Sequence, residues 1–419
     1  MKTIALVTNS YFDGVRLHNS GPYTIVVDGG TITAIEPSNI TALMDNAEIV
    51  DVPFVMPGMV EGHCHLFLNG AELDAEIRKQ YLSAPFNDMM AMARTAVASH
   101  VAAGITLIRD AGDLYGVNRT IKAELAALAT SGQAVAVVRS PGKAIRKKGR
   151  YGGFMAAEVT DSASIVQAIA DLPPSAQDLK IVLTGIIDFE KGEVKGAPQF
   201  TLDECKLMVQ LARERGLRTY AHCSGLEGLY LAVESGIDSI EHGFFMNREI
   251  LQKMADKGIA WVPTISPVYF QYARPELAGW NASTVLALRR ILDNHFEMLA
   301  VASDCGVPIV MGSDAGSYGV PHGTGLIDEL FYLQRTPLTT AQILASATSV
   351  PRRLWGCASA NIAVGNSADM ALLSISPFDD FNGLRQVQGV VLNGTVTGKL
   401  EMHDRVCAID GVVQYFDCC

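Results

Sequence analysis

The stretch MVEGHCH, residues 59–65, decides the fold. It is a short apolar run that closes on two imidazoles at alternate positions, His63 and His65. Alternate side chains of a strand project to the same side, so both rings can reach one metal ion. Reading outward, the same kind of run recurs at ITLIRDAG (105–112), AVAVVRS (134–140), LKIVLTG (179–185), RTYAHC (218–223), DSIEHGF (238–244), AWVPTI (260–265) and PIVMGSD (308–314). Helix-patterned segments separate these runs, which is the signal for βα units around a parallel sheet. In TLDECKLMVQLARERG, Thr201 and Glu204 form a capping-box pattern and Gly216 supplies the stop. Eight strand candidates in this order predict an α/β fold, a (β/α)8 TIM barrel over residues 58–363.

The flanks read differently. Residues 1–57 (IALVTNSYFDG, YTIVVDGGTITAIEPS) and 364–419 (ADMALLSIS, VQGVVLNGTVTG, DRVCAIDGVVQYF) are short strand patterns joined by Gly, Asn and Asp turns, and they predict one β-sandwich beside the barrel. At 419 residues with 49% hydrophobic and 18% charged residues, the chain has ample material for a large core. Lys+Arg 33 against Asp+Glu 44 gives a net charge of −11, which disfavours nucleic acid and anionic membrane surfaces as partners. The N-terminal apolar run is too short for a signal segment and no stretch is long enough to span a bilayer, so a cytoplasmic location is expected. The eight cysteines have no zinc-ribbon or disulfide spacing and read as reduced thiols, with Cys418 and Cys419 in the tail. A homo-oligomer is compatible with all of this.

Active sites of βα barrels sit at the C-terminal ends of the strands. The polar residues there are His63, His65, Lys180, His222, His242 and Asp314. Taken singly, each has an ordinary explanation: a hydrogen-bonded scaffold histidine, a snorkelling lysine, an aspartate accepting turn N–H groups. Their joint occurrence at one predicted mouth points to a metal site. His18, His100, His295 and His403 fall outside the strand ends and receive no role.

With VMPGMVEGHCHL (55–66), GITLIRDAG (104–112), LKIVLTG (179–185), TYAHCSGLEGLYLAVESGIDSIEHG (219–243), VMGSDAG (310–316), HGTGLIDEL (322–330) and IAVGNSADMALL (362–373), the chain resembles the amidohydrolase superfamily over nearly its whole length. Within it, the chain is similar to the branch of imidazolonepropionase-like proteins and Xaa-Pro dipeptidases. The resemblance implies two divalent metal ions, with zinc favoured by the histidine-rich set. It assigns His63, His65 and Asp314 to the more buried ion and His222 and His242 to the other. Lys180, carboxylated by CO2 to a carbamate, would bridge them. It further implies a metal-bridging hydroxide as nucleophile toward a C–N amide or cyclic amide bond of a small molecule, with Asp314 as general base turned general acid and Lys180 counted with it as catalytic.

The chain departs from that branch in two places. Dipeptidases of the branch commonly place a tyrosine just after the strand-five histidine, where this chain reads His222-Cys223-Ser224-Gly225, and a TGGHG-like segment is replaced by GRYGGFM (149–155). Both weaken a dipeptidase acting on Xaa-amino acid substrates, which stays an alternative. A mononuclear zinc deaminase is a second alternative, but its HxxE arrangement meets Gly225 here. A catalytically dead scaffold is a third, and it expects missing ligands. For substrate contacts the candidates are Arg109, Lys143, Tyr151, Tyr269, Tyr318 and His322. Arg109 suits a carboxylate or a loop lock, His322 an orienting hydrogen bond or a helix cap. Lys143 opens the basic run KAIRKKGR (143–150), which either recruits an anionic substrate or is a solvated loop.

Overall fold

A computed structural model describes residues 3–37 and 47–398. Expectations for His403, for DRVCAIDGVVQYF and for the Cys418-Cys419 tail lie outside the described residues. Within them the chain is mixed α/β, and two parallel sheets form its centre. Strand Met59–Cys64 pairs with Ile105–Asp110, which pairs with Val137–Arg139. The second sheet runs in the order Ala156–Val159, Ala144–Lys147, Asp178–Val182, Arg218–Cys223, Ser239–His242, Ala260–Val262. Residues 308–315 connect the two sheets. Trp261 N donates to Pro308 O at 2.9 Å and Val310 N to Trp261 O at 2.9 Å on one side, while Gly62 N donates to Met311 O at 2.9 Å and His65 N to Ala315 O at 2.7 Å on the other.

Seven of the predicted strands appear with small shifts of their ends, but PIVMGSD does not form a strand: only isolated bridges at Ile309 and Ala315 are made. The cause is local. Gly312 is pressed so tightly on the first strand that a Cβ there would come within 2.7 Å of His63 N. Two residues on, Asp314 turns the chain out of the extended region with φ 58°.

A second correction concerns the basic run. Ala144–Lys147 is a sheet strand rather than a solvated loop, because its charges find partners remote in sequence: Arg146 binds Glu158, and Lys147 binds Glu204. Helix Leu202–Glu214 starts as expected, with Thr201 and Glu204 capping each other's backbone N–H, and buries Cys205, Met208, Val209 and Ala212 on one face.

The flanking segments build two further sheets. One has the order Thr31–Pro37, Tyr23–Asp28, Thr3–Thr8, Ala47–Asp51. The other runs Thr395–Gly398, Val387–Leu392, Met370–Leu373, Phe54–Pro57, Ser10–Phe12, Leu17–His18, so both ends of the chain share it. Leu6, Ile25 and Val50 of the first pack with Val55, Leu372 and Val391 of the second in one apolar core. The hairpin after Leu392 turns through Asn393 and Gly394, both at positive φ (49° and 70°), as a tight two-residue loop requires. Among the described residues no helix is long and apolar enough to cross a membrane.

Candidate active site

His63 and His65 end the first strand as the alternation predicted, and what orients them comes from elsewhere. A carboxylate can only accept, so His63 Nδ1 donates to Glu241 Oε2 at 2.6 Å and its Nε2 is left as a lone pair. That Nε2 lies 3.6 Å from Asp314 Oδ1, and His65 Nε2 lies 3.5 Å from the same oxygen. Asp314 Oδ1 is buried and has no hydrogen-bond partner. The three donor atoms therefore converge without bonding one another, and all lie within 4.8 Å.

Lys180, His222 and His242 line the same cavity of about 410 Å3. The His222 and His242 ring centres are 4.5 Å apart, and His242 is 5.0 Å from His63. His222 Nε2 donates to Gly185 O at 3.3 Å, which leaves Nδ1 free to ligate, and His242 Nδ1 meets Thr264 Oγ1 at 2.6 Å. His242 and Asp314 both hold positive φ, 68° and 58°, a conformation that costs on the order of 1–3 kcal/mol per non-glycine residue and concentrates at functional sites.

Burial sets the protonation states. It holds His63 and His242 well below the ordinary imidazole range and brings His65 and His222 down to about 3, so the rings are neutral at pH 7, the form that binds metal. Burial lifts the Asp314 carboxyl to about 7, with Lys180 pulling the other way. It also lowers the Lys180 ammonium to about 8 against the attraction of Glu241 and Asp314, so a fraction is free amine near neutrality. Neutral imidazoles, a bare carboxylate oxygen and an amine that can lose its proton form a donor set that fits divalent metal.

Of the expected substrate contacts, Tyr151 and Tyr318 line the cavity, Tyr151 with its ring 5.1 Å from His222. The other four do not line it. Arg109 lies beneath, its guanidinium between the Tyr220 and Trp355 rings at 4.3 and 4.5 Å, donating to Glu241 Oε1 at 2.9 Å and Gly62 O at 2.7 Å. It is the counter-charge of Glu241. Lys143 faces a different cavity. Tyr269 packs on Tyr332 at 4.3 Å. His322 is buried in a chain of bonds, donating from Nε2 to Leu68 O at 2.8 Å while Nδ1 meets His100 Nε2 at 3.2 Å.

A model described as "Amidohydrolase family" matches residues 54–397. The chain belongs to the Amidohydrolase family. An uncharacterized protein of Mycobacterium tuberculosis is 25% identical over 350 residues, 84% of this chain and 87% of its own. An ochratoxinase of Aspergillus niger is 24% identical over 218 residues, 51% of this chain and 44% of its own. A solved Xaa-Pro dipeptidase with bound methionine superposes with a TM-score of 0.80 at 23% identity, covering 94% of this chain and 100% of the other, and so shares the fold.

For this amidohydrolase, sequence reading missed the residues that position the candidate ligands. Glu61 accepts from His63 N at 3.0 Å, Ser313 N at 2.8 Å and Ser313 Oγ at 2.6 Å, tying the first strand to the loop of Asp314. Its place two residues before His63 was the available signal, as was the adjacency of Glu241 to His242. Arg78, in the short helix Ala75–Tyr81, also lines the cavity, and nothing in its sequence context announced it.

Proposed function

We propose that this amidohydrolase is a binuclear metal-dependent hydrolase of a C–N amide or cyclic amide bond in a small molecule. The observation that carries the reading is the bare, buried Asp314 Oδ1 set between the two Nε2 lone pairs of His63 and His65, in a cavity that also receives Lys180, His222 and His242. In this reading residues 58–363 are one closed (β/α)8 barrel, and 1–57 with 364–419 are the flanking sandwich. His63, His65 and Asp314 would hold one ion and His222 and His242 the other, and Lys180, as its carbamate, would serve both. Bound divalent ions, zinc by the donor set, lower the pKa of water toward neutrality and polarise a carbonyl.

The chain's own groups do the rest. Asp314 accepts the proton of the attacking water and passes it to the leaving nitrogen as the C–N bond breaks. Glu241, held by Arg109, keeps His63 in the tautomer that offers Nε2 inward. Leu68, Leu82, Phe154 and Met155 give the cavity apolar walls. Arg78 donates only to the backbone carbonyls of Asn69, Glu72 and Gly316 and makes no ion pair among the described residues, so its charge is available to an anionic group of the substrate. The volume suits a small-molecule substrate. The named activities of the relatives, on ochratoxin-type and Xaa-Pro substrates, lie within the same amide class. A deaminase is disfavoured because Gly225 stands where a proton-shuttling glutamate is needed and Lys180 has no use in a one-metal site.

Elemental analysis of protein produced with zinc and bicarbonate tests the reading. Two ions per chain are expected, together with turnover in a panel of N-acyl amino acids, dipeptides, lactams and aryl amides. One ion or none at full occupancy overturns it.

A further inference from the structure

Strand Ala260–Val262 runs on into a turn that is buried and strained. Thr264 sits there at φ 44° and 0% exposure, a left-handed conformation that a β-branched residue adopts only when its surroundings impose it. Two buried side chains, neither of them on the wall of the active-site cavity, grip the turn from its two ends. His295, in helix Ala282–Cys305, donates from Nε2 to Pro263 O at 3.1 Å, with its ring stacked on Phe244 at 4.1 Å. Glu329, in helix Thr324–Leu333, accepts from Ser266 N at 2.5 Å through Oε1. The turn delivers one contact to the cavity. Thr264 Oγ1 lies 2.6 Å from His242 Nδ1, which leaves Nε2 as the ring nitrogen open to a ligand. The His242 backbone is held from the same side: Trp261 Nε1 donates to its carbonyl at 2.9 Å, and the Trp261 ring meets His295 edge-on at 5.0 Å.

We propose that His295 and Glu329 are positioning residues that clamp Thr264 in this turn, so that its hydroxyl accepts from His242 Nδ1 and turns Nε2 toward the cavity. The inference rests on the reading of His242 as a ligand of the second ion. Each part follows from what the groups can do. A carbonyl only accepts, so the bond to Pro263 fixes the His295 tautomer; a main-chain N–H only donates, so Ser266 needs from Glu329 nothing but an acceptor. Burial pushes the Glu329 carboxyl up to about 8, so at pH 7 it is mostly the neutral acid, whose shape and hydrogen-bonding capacity glutamine copies. The clamp therefore works by geometry and not by charge.

The experiment is competitive zinc titration of the chelated, full-length protein in bicarbonate, together with the His242 tautomer read from its ring nitrogen NMR shifts in the metal-free protein. Glu329→Ala should weaken the second ion about 10–100-fold and leave the first unchanged, whereas Glu329→Gln should bind both as the unaltered chain does. Thr264→Val removes the hydroxyl and keeps the β-branch. It should weaken the second ion to the same degree, and the double variant should lose no more, because both changes act through one contact. Additive losses, or a Glu329→Gln protein as weak as Glu329→Ala, overturn the clamp. His295→Phe keeps the stack on Phe244 and gives up the bond to Pro263, and it carries the same reading should Glu329→Ala not fold. The metal-free spectra separate this inference from the reading beneath it. His242 should hold its proton on Nδ1 in the unaltered protein and share it between the two nitrogens in Glu329→Ala and His295→Phe. One ion per unaltered chain overturns the binuclear reading, while a tautomer unchanged in both variants overturns the clamp.

Discussion

Two regions of buried charge lie along the same strands, and they are finished to different degrees. Around Arg109 and Arg139 every charge is answered. Arg139 reaches both oxygens of Asp178, at 3.1 and 3.0 Å, and Arg109 is bonded to Glu241 and sandwiched between two aromatic rings. Around Asp314 the work is left open: one carboxylate oxygen has no partner, and Lys180 makes no ion pair among the described residues, its Nζ lying 4.7 Å from the Tyr220 ring. The first region is built to hold the fold. The second carries a desolvation cost that a ligand would offset, which marks it as the candidate site.

The sharpest way to test that contrast is to alter the open region. Asp314→Asn should keep the fold and much of the metal while lowering kcat by about 10²–10⁴, the worth of general acid–base help, as measured by steady-state kinetics at matched metal content. Near-native kcat would remove Asp314 from the chemistry. Lys180→Ala should lose activity to a similar degree, about 10²-fold or more, with partial recovery in added small carboxylic acids that stand in for carbamate oxygens. No loss of activity would discard the bridge.

Altering the finished region should do the opposite. Asp178→Asn leaves Arg139 buried without its counter-charge and should cost about 3–5 kcal/mol of stability in denaturant unfolding, with turnover per folded molecule unchanged. Equal stability would mean that the two regions do not differ as described. A smaller effect is expected at the cavity wall: Arg78→Met should raise KM for an anionic substrate about tenfold and leave that of a neutral analogue alone.

The last test concerns pH. The folded Asp314 carboxyl sits at about 7 against a usual 3.8, so folding favours its protonated form. Its contribution to stability is present in acid and is lost as pH rises toward and through 7. In chelated protein, Asp314→Asn should therefore gain stability relative to the unaltered chain between about pH 5 and 7. A difference that stays flat across that range would contradict the burial of this group.

The candidate site residues were legible in the sequence for a geometric reason: His63 and His65 share a face by strand alternation, and residues at strand ends are brought to one cavity by topology. What held them in place was not. Glu241 serves His63 from a distant strand, and Thr264 serves His242 from yet another, contacts that no local pattern encodes. Ala144–Lys147 was hidden as a strand because Arg146 and Lys147 look solvated until Glu158 and Glu204 arrive. The stretch 308–314 has strand composition, yet close approach at Gly312 and the left-handed Asp314 overrule it. Arg109, read as a partner for a substrate carboxylate or a lock for a loop, is held in the interior, where it donates to Glu241.

The column of Tyr220, Arg109 and Trp355 also bears on how the molecule comes into being. Arg109 emerges from the ribosome well before Glu241, which follows it by 132 residues, and Trp355 comes after both. Loop-closure entropy has to be overcome before such distant partners reward one another. His63 acquires its fixed tautomer through that assembly, and Asp314 itself lies in the last part of the central fold to be made. The fixed tautomer of His63 is thus a late event in the birth of the protein, and a nascent chain halted before Glu241 would carry His63 with no carboxylate to aim it.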